Sequence, residues 1–189
     1  MSRFYLMAAT LNALVLSAIL LAALTVQMAS GELPCPLCIL QRIAIMLCAL
    51  GPLFLLAQNR RAALTHRDIA IGSAMSLFGA LIGAAISTRQ VLLHILPGDP
   101  GYGGTVFGLH LYTIALIVFL CQMLACAGML WGAVLAESFR QLRWPAARVV
   151  LAIFAVLMAA NLAGVAMLAG WHWMLPSDPV NYLMFSERS

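Results

Sequence analysis

Charged residues are scarce in this chain, and lysine is absent altogether. Only 8% of the 189 residues are charged, whereas 64% are hydrophobic. Soluble domains are about 45–50% apolar and about 25% charged, so an ordinary soluble protein is excluded. The ten basic residues are all arginines, and no basic stripe is interleaved with aromatic residues as on a nucleic-acid-binding surface. The composition therefore predicts an integral membrane protein.

Five apolar runs are long enough to cross a bilayer, which takes about 20 helical residues. They cover roughly residues 4–28, 38–57, 69–88, 109–136 and 149–171. The connections are short, so we predict an all-α transmembrane bundle in which residues 1–189 form a single membrane domain. The first run exceeds the roughly 7–15 apolar residues of a cleavable signal sequence, and we expect it to remain as an uncleaved anchor.

The arginines predict the orientation of the bundle. If five spans alternate, seven arginines lie on one side: Arg3, Arg60, Arg61, Arg67, Arg140, Arg143 and Arg148. The other side has only Arg89 and Arg188. Cytoplasmic loops carry an excess of basic residues, so we expect a cytoplasmic N-terminus and an external C-terminus. Segments 29–34 and 90–108 then lie outside, where disulfides persist in a bacterial periplasm.

Two weaker patterns concern packing and the tail. Gly79 and Gly83 are four residues apart in the third run, a spacing that lets transmembrane helices approach closely. The aromatic tail, residues 171–185, is predicted to lie along the membrane interface, where Trp and Tyr are favoured.

Of the five cysteines, only Cys35 and Cys38 are closely spaced. Pro36 disfavours helical backbone at the residue before it and itself suits the first position of a helix. We therefore expect Cys35 at the N-cap of the second span and Cys38 in its first turn. Free N–H groups and the helix dipole favour a thiolate there, and a thiolate is the species that attacks a disulfide. The other three, Cys48, Cys121 and Cys126, are interpreted as small buried hydrophobic residues.

Other roles for the cysteine pair remain open. A structural disulfide would close a very small loop and add little stability. Three histidines, His94, His110 and His172, are predicted on the same side as the pair, and two Cys with two His can form a tetrahedral zinc site. A metal- or haem-binding protein is therefore an alternative, as is a structural subunit of a membrane complex.

Arg42 follows Cys38 by one helical turn and shares its face of the helix. A charge within a membrane span is costly and generally marks a functional site. Arg42 can stabilise a thiolate or donate hydrogen bonds to a carbonyl held against Cys38, such as that of a quinone. The alternative is an arginine whose side chain reaches the lipid headgroups.

The run P-C-x-x-C-x-x-Q-R, from Pro34 to Arg42, resembles the disulfide bond formation protein B (DsbB) family, as does R-Q-V-L-L-H-x-x-P, from Arg89 to Pro97. The resemblance implies a four-helix core and a redox-active Cys35–Cys38 disulfide in the bacterial inner membrane. It implies a thiol:quinone oxidoreductase that passes electrons from a DsbA-like, thioredoxin-fold periplasmic protein to ubiquinone or menaquinone. Cys38 would face the quinone, Arg42 would help to bind it, and Cys35 would exchange with incoming thiols.

Two features depart from the typical DsbB pattern, which has four spans and a second cysteine pair in a long periplasmic loop. Here a fifth span is predicted, and residues 90–108 contain no cysteine. Cys121 and Cys126 cannot replace that pair, because Cα atoms five residues apart on a helix exceed the roughly 7 Å limit for a disulfide. We therefore expect electrons to enter directly at Cys35, which precedes the helix and should be the more exposed cysteine.

Overall fold

The computed structural model describes residues 1–29, 31, 33–99, 101–106, 108–172, 179 and 181–186. Its long helices are α1 (Ser2–Ala29), α2 (Pro36–Arg61), α3 (His66–Leu93), α4 (Leu111–Val134) and α5 (Ala146–Ala169). A hairpin of β1 (Thr105–Val106) and β2 (Leu109–His110) precedes α4, and a single turn, α6 (Leu183–Ser186), follows α5.

The five long helices are each long and apolar enough to cross a membrane. The predicted multi-span helical bundle is therefore confirmed, including the fifth long helix. The fourth span was predicted too long at both ends, because Leu109 and His110 pair with β1 and α4 ends at Val134. α3 begins three residues before the predicted span at a capping box, in which Thr65 and Asp68 exchange hydrogen bonds.

α2 occupies the centre of the bundle. It packs against α3, α1 and α5, while α4 packs mainly on α3 and α5 mainly on α1. Close approach depends on the predicted glycines: a Cβ at Gly79 would lie 2.6 Å from the backbone nitrogen of Cys48, and one at Gly83 would collide with the Phe119 ring. The α2–α3 and α3–α4 contacts therefore require small residues at these two positions.

Polar side chains join the helices at the end away from the cysteine pair. The Asn59 side chain donates to the Leu142 carbonyl at 2.8 Å, and the Trp144 indole donates to Thr10 Oγ1 at 2.9 Å. The connection between α4 and α5 is thereby held against α1 and α2. The cysteine pair lies at the opposite end of the bundle, at the start of α2.

The connection from α3 to α4 lies over the cysteine end of the bundle. His94 Nδ1 is 3.1 Å from the Asp99 carboxylate, and the Gly101 N–H donates to the same carboxylate at 2.8 Å. The Gly101 N–H and His94 together lower the pKa of Asp99. The Tyr102 hydroxyl donates to the Leu33 carbonyl at 2.9 Å, so this connection is attached to the segment that precedes Cys35.

The predicted interfacial tail is only partly covered by the structure, since residues 173–178 and 180 lie outside the described residues. Tyr182 packs beside a small buried cluster of Leu33, Ile39 and Leu168. The end of the tail therefore returns to the bundle near the start of α2.

Candidate functional site

Cys35 and Cys38 lie where the sequence predicts. Cys35 is the N-cap of α2, with extended backbone angles and Pro36 at the first helical position. The Cys38 N–H donates to the Cys35 sulfur at 3.2 Å, so the cysteine itself caps the helix. The two sulfur atoms are 2.7 Å apart and both cysteines are free. The pair is therefore arranged to interconvert between dithiol and disulfide with little backbone movement.

The two sulfurs are electrostatically unequal. The hydrogen bond that Cys35 shares with Cys38, together with burial, raises the pKa of the Cys35 thiol. Either sulfur can be the donor in the 2.7 Å contact, so the reduced pair can share one proton. We assign the negative charge to Cys38, because Arg42 follows it by one turn of the same helix and lines the same cavity.

A pair of glutamines lies against the sulfurs. The Gln90 Nε2 group, contributed by α3, is 3.5 Å from the Cys35 sulfur and 3.7 Å from the Cys38 sulfur. The Gln90 carbonyl oxygen accepts a hydrogen bond of 3.0 Å from Gln41 Nε2. Both amides are buried, so α2 and α3 together place polar groups beside the two sulfurs.

The Arg42 guanidinium is held by α1. It donates to Gln27 Oε1 at 2.7 Å and to the Ala23 carbonyl at 2.9 Å, and the residue is only 9% exposed. The interpretation that its side chain reaches the lipid headgroups does not fit these contacts. Gln27 also donates to the Tyr182 hydroxyl at 3.3 Å, so the tail supports the residue that holds Arg42.

Among the described residues, no carboxylate pairs with Arg42; the one ion pair there joins His94 and Asp99. A guanidinium has five N–H donors, and Gln27 and Ala23 account for two of them. A buried charge without a counter-ion is unfavourable unless other groups compensate it. This position therefore suits an acceptor such as a thiolate or a ligand carbonyl.

A cavity of about 750 Å³ opens beside these groups. Cys38, Gln41 and Arg42 line its polar side, and its other walls are mostly apolar side chains of α1 and α4. Volumes of this size, with apolar walls and a few polar groups, are typical of small-molecule sites. Cys38 lines the cavity and Cys35 does not, so the two sulfurs face different surroundings.

The family described as "Disulfide bond formation protein DsbB" matches residues 5–103, just over half of the chain. The match includes the cysteine pair, Gln41, Arg42 and Gln90. The chain belongs to the DsbB family.

Relatives of the same description match this part of the chain. Disulfide bond formation protein B of Chromobacterium violaceum is 48% identical over 77 residues, which cover 41% of this chain and 44% of that protein. That of Methylococcus capsulatus is 45% identical over 88 residues, 44% of this chain and 49% of the relative. The matched region thus spans somewhat less than half the length of these curated relatives. No solved structure matches the chain.

The prediction that Cys35 is the more exposed of the two cysteines was wrong for this DsbB-family chain. Cys35 is the more buried, at 6% exposure, and Cys38 is partly exposed. Gln90 lies against Cys35, and the preceding residues Leu33 and Pro34 are themselves buried with Tyr102 attached to Leu33. The exposure of Cys38 comes from the cavity beside it.

The predicted metal ligands do not converge on the cysteine pair. His94 and His110 both stack on Tyr112, with ring centroids 5.5 Å and 5.1 Å from it, and His172 lies beyond α5 and is exposed. Within the described ranges, no group of three or more His, Cys, Asp or Glu side chains is placed to hold a metal ion. The geometry of these residues therefore gives the metal-binding alternative no support.

The three remaining cysteines have different surroundings. Cys48 and Cys126 are buried as predicted, but Cys121 is exposed. α4 lies at the edge of the bundle and turns Phe119, Gln122 and Cys126 inward, which leaves Cys121 on the outer surface. None of the three contributes to the cavity beside Cys38.

Gln27 and Tyr182 are site residues that the sequence predictions missed. Gln27 carried a usable signal, because a buried amide near the end of an apolar span needs a hydrogen-bond partner. Tyr182 is distant in sequence and had no comparable signal. The role of Gln90 was also missed, although it lies within the motif from Arg89 to Pro97.

Proposed function

We propose that this DsbB-family chain is a membrane thiol:quinone oxidoreductase that forms disulfides in periplasmic proteins. The observation that carries the proposal is the shared cavity of Cys38 and Arg42, with the second sulfur 2.7 Å from the first. One wall of the cavity thus places Cys38, one half of a two-electron thiol pair, beside a hydrogen-bond-donating cation. Apolar walls suit a lipid-soluble acceptor whose only polar groups are carbonyls.

The redox steps balance without another reactant. A donor dithiol reduces the Cys35–Cys38 disulfide by two electrons through a mixed disulfide, which leaves a Cys35 thiol and a Cys38 thiolate and releases one proton. The reduced pair then gives two electrons to ubiquinone or menaquinone. The Cys35 proton and one proton from solvent complete the quinol, and the Cys35–Cys38 disulfide forms again. Arg42 binds the acceptor carbonyl and stabilises charge that develops on its oxygen.

The thiol donor in this proposal is a periplasmic thioredoxin-fold protein that exchanges with Cys35. Cys38 lines the cavity proposed for the acceptor and Cys35 does not. This favours Cys35 as the sulfur that exchanges with the donor. Because Cys35 is buried and the Tyr102 hydroxyl attaches the α3–α4 connection to Leu33, the donor must displace this cover before exchange. This direct entry would replace the loop cysteines that the chain lacks between residues 90 and 108.

The proposed location is the bacterial inner membrane, with the N-terminus in the cytoplasm and the C-terminus in the periplasm. The whole chain then forms one membrane domain with the cysteine pair at the periplasmic surface. Reporter fusions at Arg61 and Arg143 are expected to be active only as cytoplasmic reporters, and a fusion at Ser189 only as a periplasmic one. A cytoplasmic Ser189 would contradict the five-span topology.

Quinone reduction by the purified protein tests the proposed activity. Reduced thioredoxin-fold donor and a short-chain quinone are added in detergent, and the quinone absorbance is followed. We expect the absorbance to fall at a rate that depends on both substrates and on the amount of protein. A rate equal to that of donor and quinone alone would refute the proposal. The same assay with ubiquinone and menaquinone analogues compares the two acceptors.

A further inference from the structure

Gln90 contacts both reacting sulfurs, yet the redox cycle described above does not require it. It is 1% exposed, and its Nε2 group lies 3.5 Å from the Cys35 sulfur and 3.7 Å from the Cys38 sulfur. The residue belongs to α3, whereas the cysteines begin α2, so only the packing of the two helices brings them together. A buried amide that donates hydrogen bonds to two sulfurs affects how stable the charged form of each sulfur is.

Gln41 determines which end of the Gln90 amide faces the sulfurs. The Gln41 Nε2 group donates to Gln90 Oε1 at 3.0 Å, which directs the Gln90 NH₂ group towards the cysteines. The reverse orientation would turn a carbonyl oxygen towards a thiolate, and the two negative groups would repel each other. The Gln41–Gln90 pair is therefore an oriented hydrogen-bond donor.

A hydrogen bond from an amide is stronger to a charged acceptor than to a neutral one. The Cys38 thiolate is such an acceptor, and the sulfurs of a disulfide are weak acceptors by comparison. The contact with Gln90 therefore stabilises the reduced pair more than the oxidised pair. A disulfide whose reduced form is stabilised is the stronger oxidant.

We propose that Gln90 is a catalytic hydrogen-bond donor that stabilises the Cys38 thiolate, and that Gln41 is the positioning residue that orients it. The proposal rests on the proposed function for its role in turnover, because a more oxidising pair withdraws electrons from the thiol donor more readily. Its physical content, thiolate stabilisation, can be measured without donor or quinone.

The other titratable groups around the pair can be told apart from Cys38 when the stability of its thiolate is measured as a function of pH. α2 contributes Cys35 and Arg42, the α3–α4 connection contributes Tyr102, and α4 contributes Tyr112; Tyr182 reaches Gln27 behind Arg42. The cavity-lining residues of α1 are apolar. His94 and His110 stack on Tyr112 and Asp99 pairs with His94, but none of the three is among the described hydrogen-bond partners of the sulfurs. Arginine stays charged and tyrosine titrates near pH 10, and alkylation of Cys38 reports on the Cys38 thiolate itself.

The test is the pH dependence of Cys38 alkylation in the reduced protein, mapped by mass spectrometry, for wild type, Gln90→Met and Gln41→Met. Methionine keeps much of the glutamine volume but cannot donate. We expect the midpoint for Gln90→Met to rise by about one pH unit, the size of a lost hydrogen bond to a charged group. Gln41→Met leaves Gln90 in place but no longer orients its amide. We expect this variant to raise the midpoint of Cys38 alkylation by less than Gln90→Met does.

The reduction potential of the pair, measured against dithiothreitol, provides a second readout. A tenfold loss of thiolate stabilisation corresponds to a potential about 30 mV more negative. The matched control is Gln122→Met, which removes a buried amide of α4 that donates to Ser76 away from the cysteines. It should leave both the midpoint and the potential unchanged.

A folded Gln90→Met protein with the wild-type midpoint and potential would overturn the proposal and leave Gln90 as a packing residue. If Gln90→Met does not fold, the Gln41→Met protein tests the proposal instead. An alkylation midpoint equal to that of wild type in Gln41→Met would overturn the proposal that Gln41 orients Gln90 as a donor. Wild-type protein that fails to reduce quinone while these shifts occur would refute the proposed function alone. Normal quinone reduction without the shifts would refute only the role of Gln90.

Discussion

Cys38→Ser is expected to abolish thiol-dependent quinone reduction, lowering turnover by at least about 10³-fold, as loss of an essential nucleophile generally does. Cys38 is the sulfur that lines the cavity, and a serine hydroxyl can neither form the disulfide nor give up two electrons. Cys35→Ser should have an equally large effect, because its sulfur is the other half of the pair, 2.7 Å away. Quinone absorbance in the assay with reduced donor measures both.

The matched control replaces Cys48, Cys121 and Cys126 together with alanine. None of them lines the cavity beside Cys38, so this variant should retain most of the wild-type rate. A donor that lacks its resolving cysteine should then remain trapped on Cys35, as seen on a non-reducing gel and by peptide mapping. Wild-type turnover by Cys38→Ser would contradict the redox mechanism, and trapping on Cys38 alone would reverse the roles of the two sulfurs.

Arg42→Met is expected to raise the KM for quinone, because methionine keeps bulk but removes the charge and every N–H donor. Hydrogen bonds to charged groups contribute about 1.5–3 kcal/mol, and every 1.4 kcal/mol is tenfold, so the increase should be roughly 10- to 100-fold. The rate of thiol–disulfide exchange with the donor should change much less, since Arg42 makes no hydrogen bond to either sulfur among the described contacts. Initial rates over a range of quinone concentrations separate the two effects.

Two further variants sharpen this prediction. Gln27→Leu removes the acceptor that holds Arg42 at 2.7 Å, and it should raise the KM by a smaller factor because the charge remains. Arg61→Met removes an exposed arginine at the opposite end of the same helix and should leave the quinone dependence unchanged. An unaltered KM in Arg42→Met would mean that the guanidinium only joins α2 to α1.

Residue types and spacing were enough to predict the cysteine site locally. Pro36 after Cys35 excludes helical backbone on one side and begins a helix on the other, so the N-cap follows from nearest neighbours alone. The same holds for Arg42, because four residues on a helix return to the same face. The glycines of α3 also signalled close packing, although their partners, Cys48 in α2 and Phe119 in α4, could not be identified in advance.

The relative exposure of the two cysteines illustrates what local reasoning misses. A residue that precedes a helix and follows a short loop ordinarily faces solvent, which led to the prediction that Cys35 is the more exposed. In the structure, Gln90 lies against the Cys35 sulfur. The Tyr102 hydroxyl donates to the carbonyl of Leu33, in the segment that precedes Cys35. Gln90 is 55 positions from Cys35 and Tyr102 is 69 positions from Leu33, and no local pattern reports contacts of that range.

The sequence by itself predicted the membrane environment, the number of long helices and the position of the cysteine pair at the start of α2. Hydropathy is a sum over residues, and helix capping involves only neighbours, so neither depends on the final packing. Tertiary structure alone decided that Cys38 lines the cavity and that Gln90 donates to the sulfurs. It also decided that Gln27 and Tyr182 support Arg42. These contacts arise where α1, α2, α3 and the tail meet, and their geometry depends on packing between segments that the chain keeps far apart.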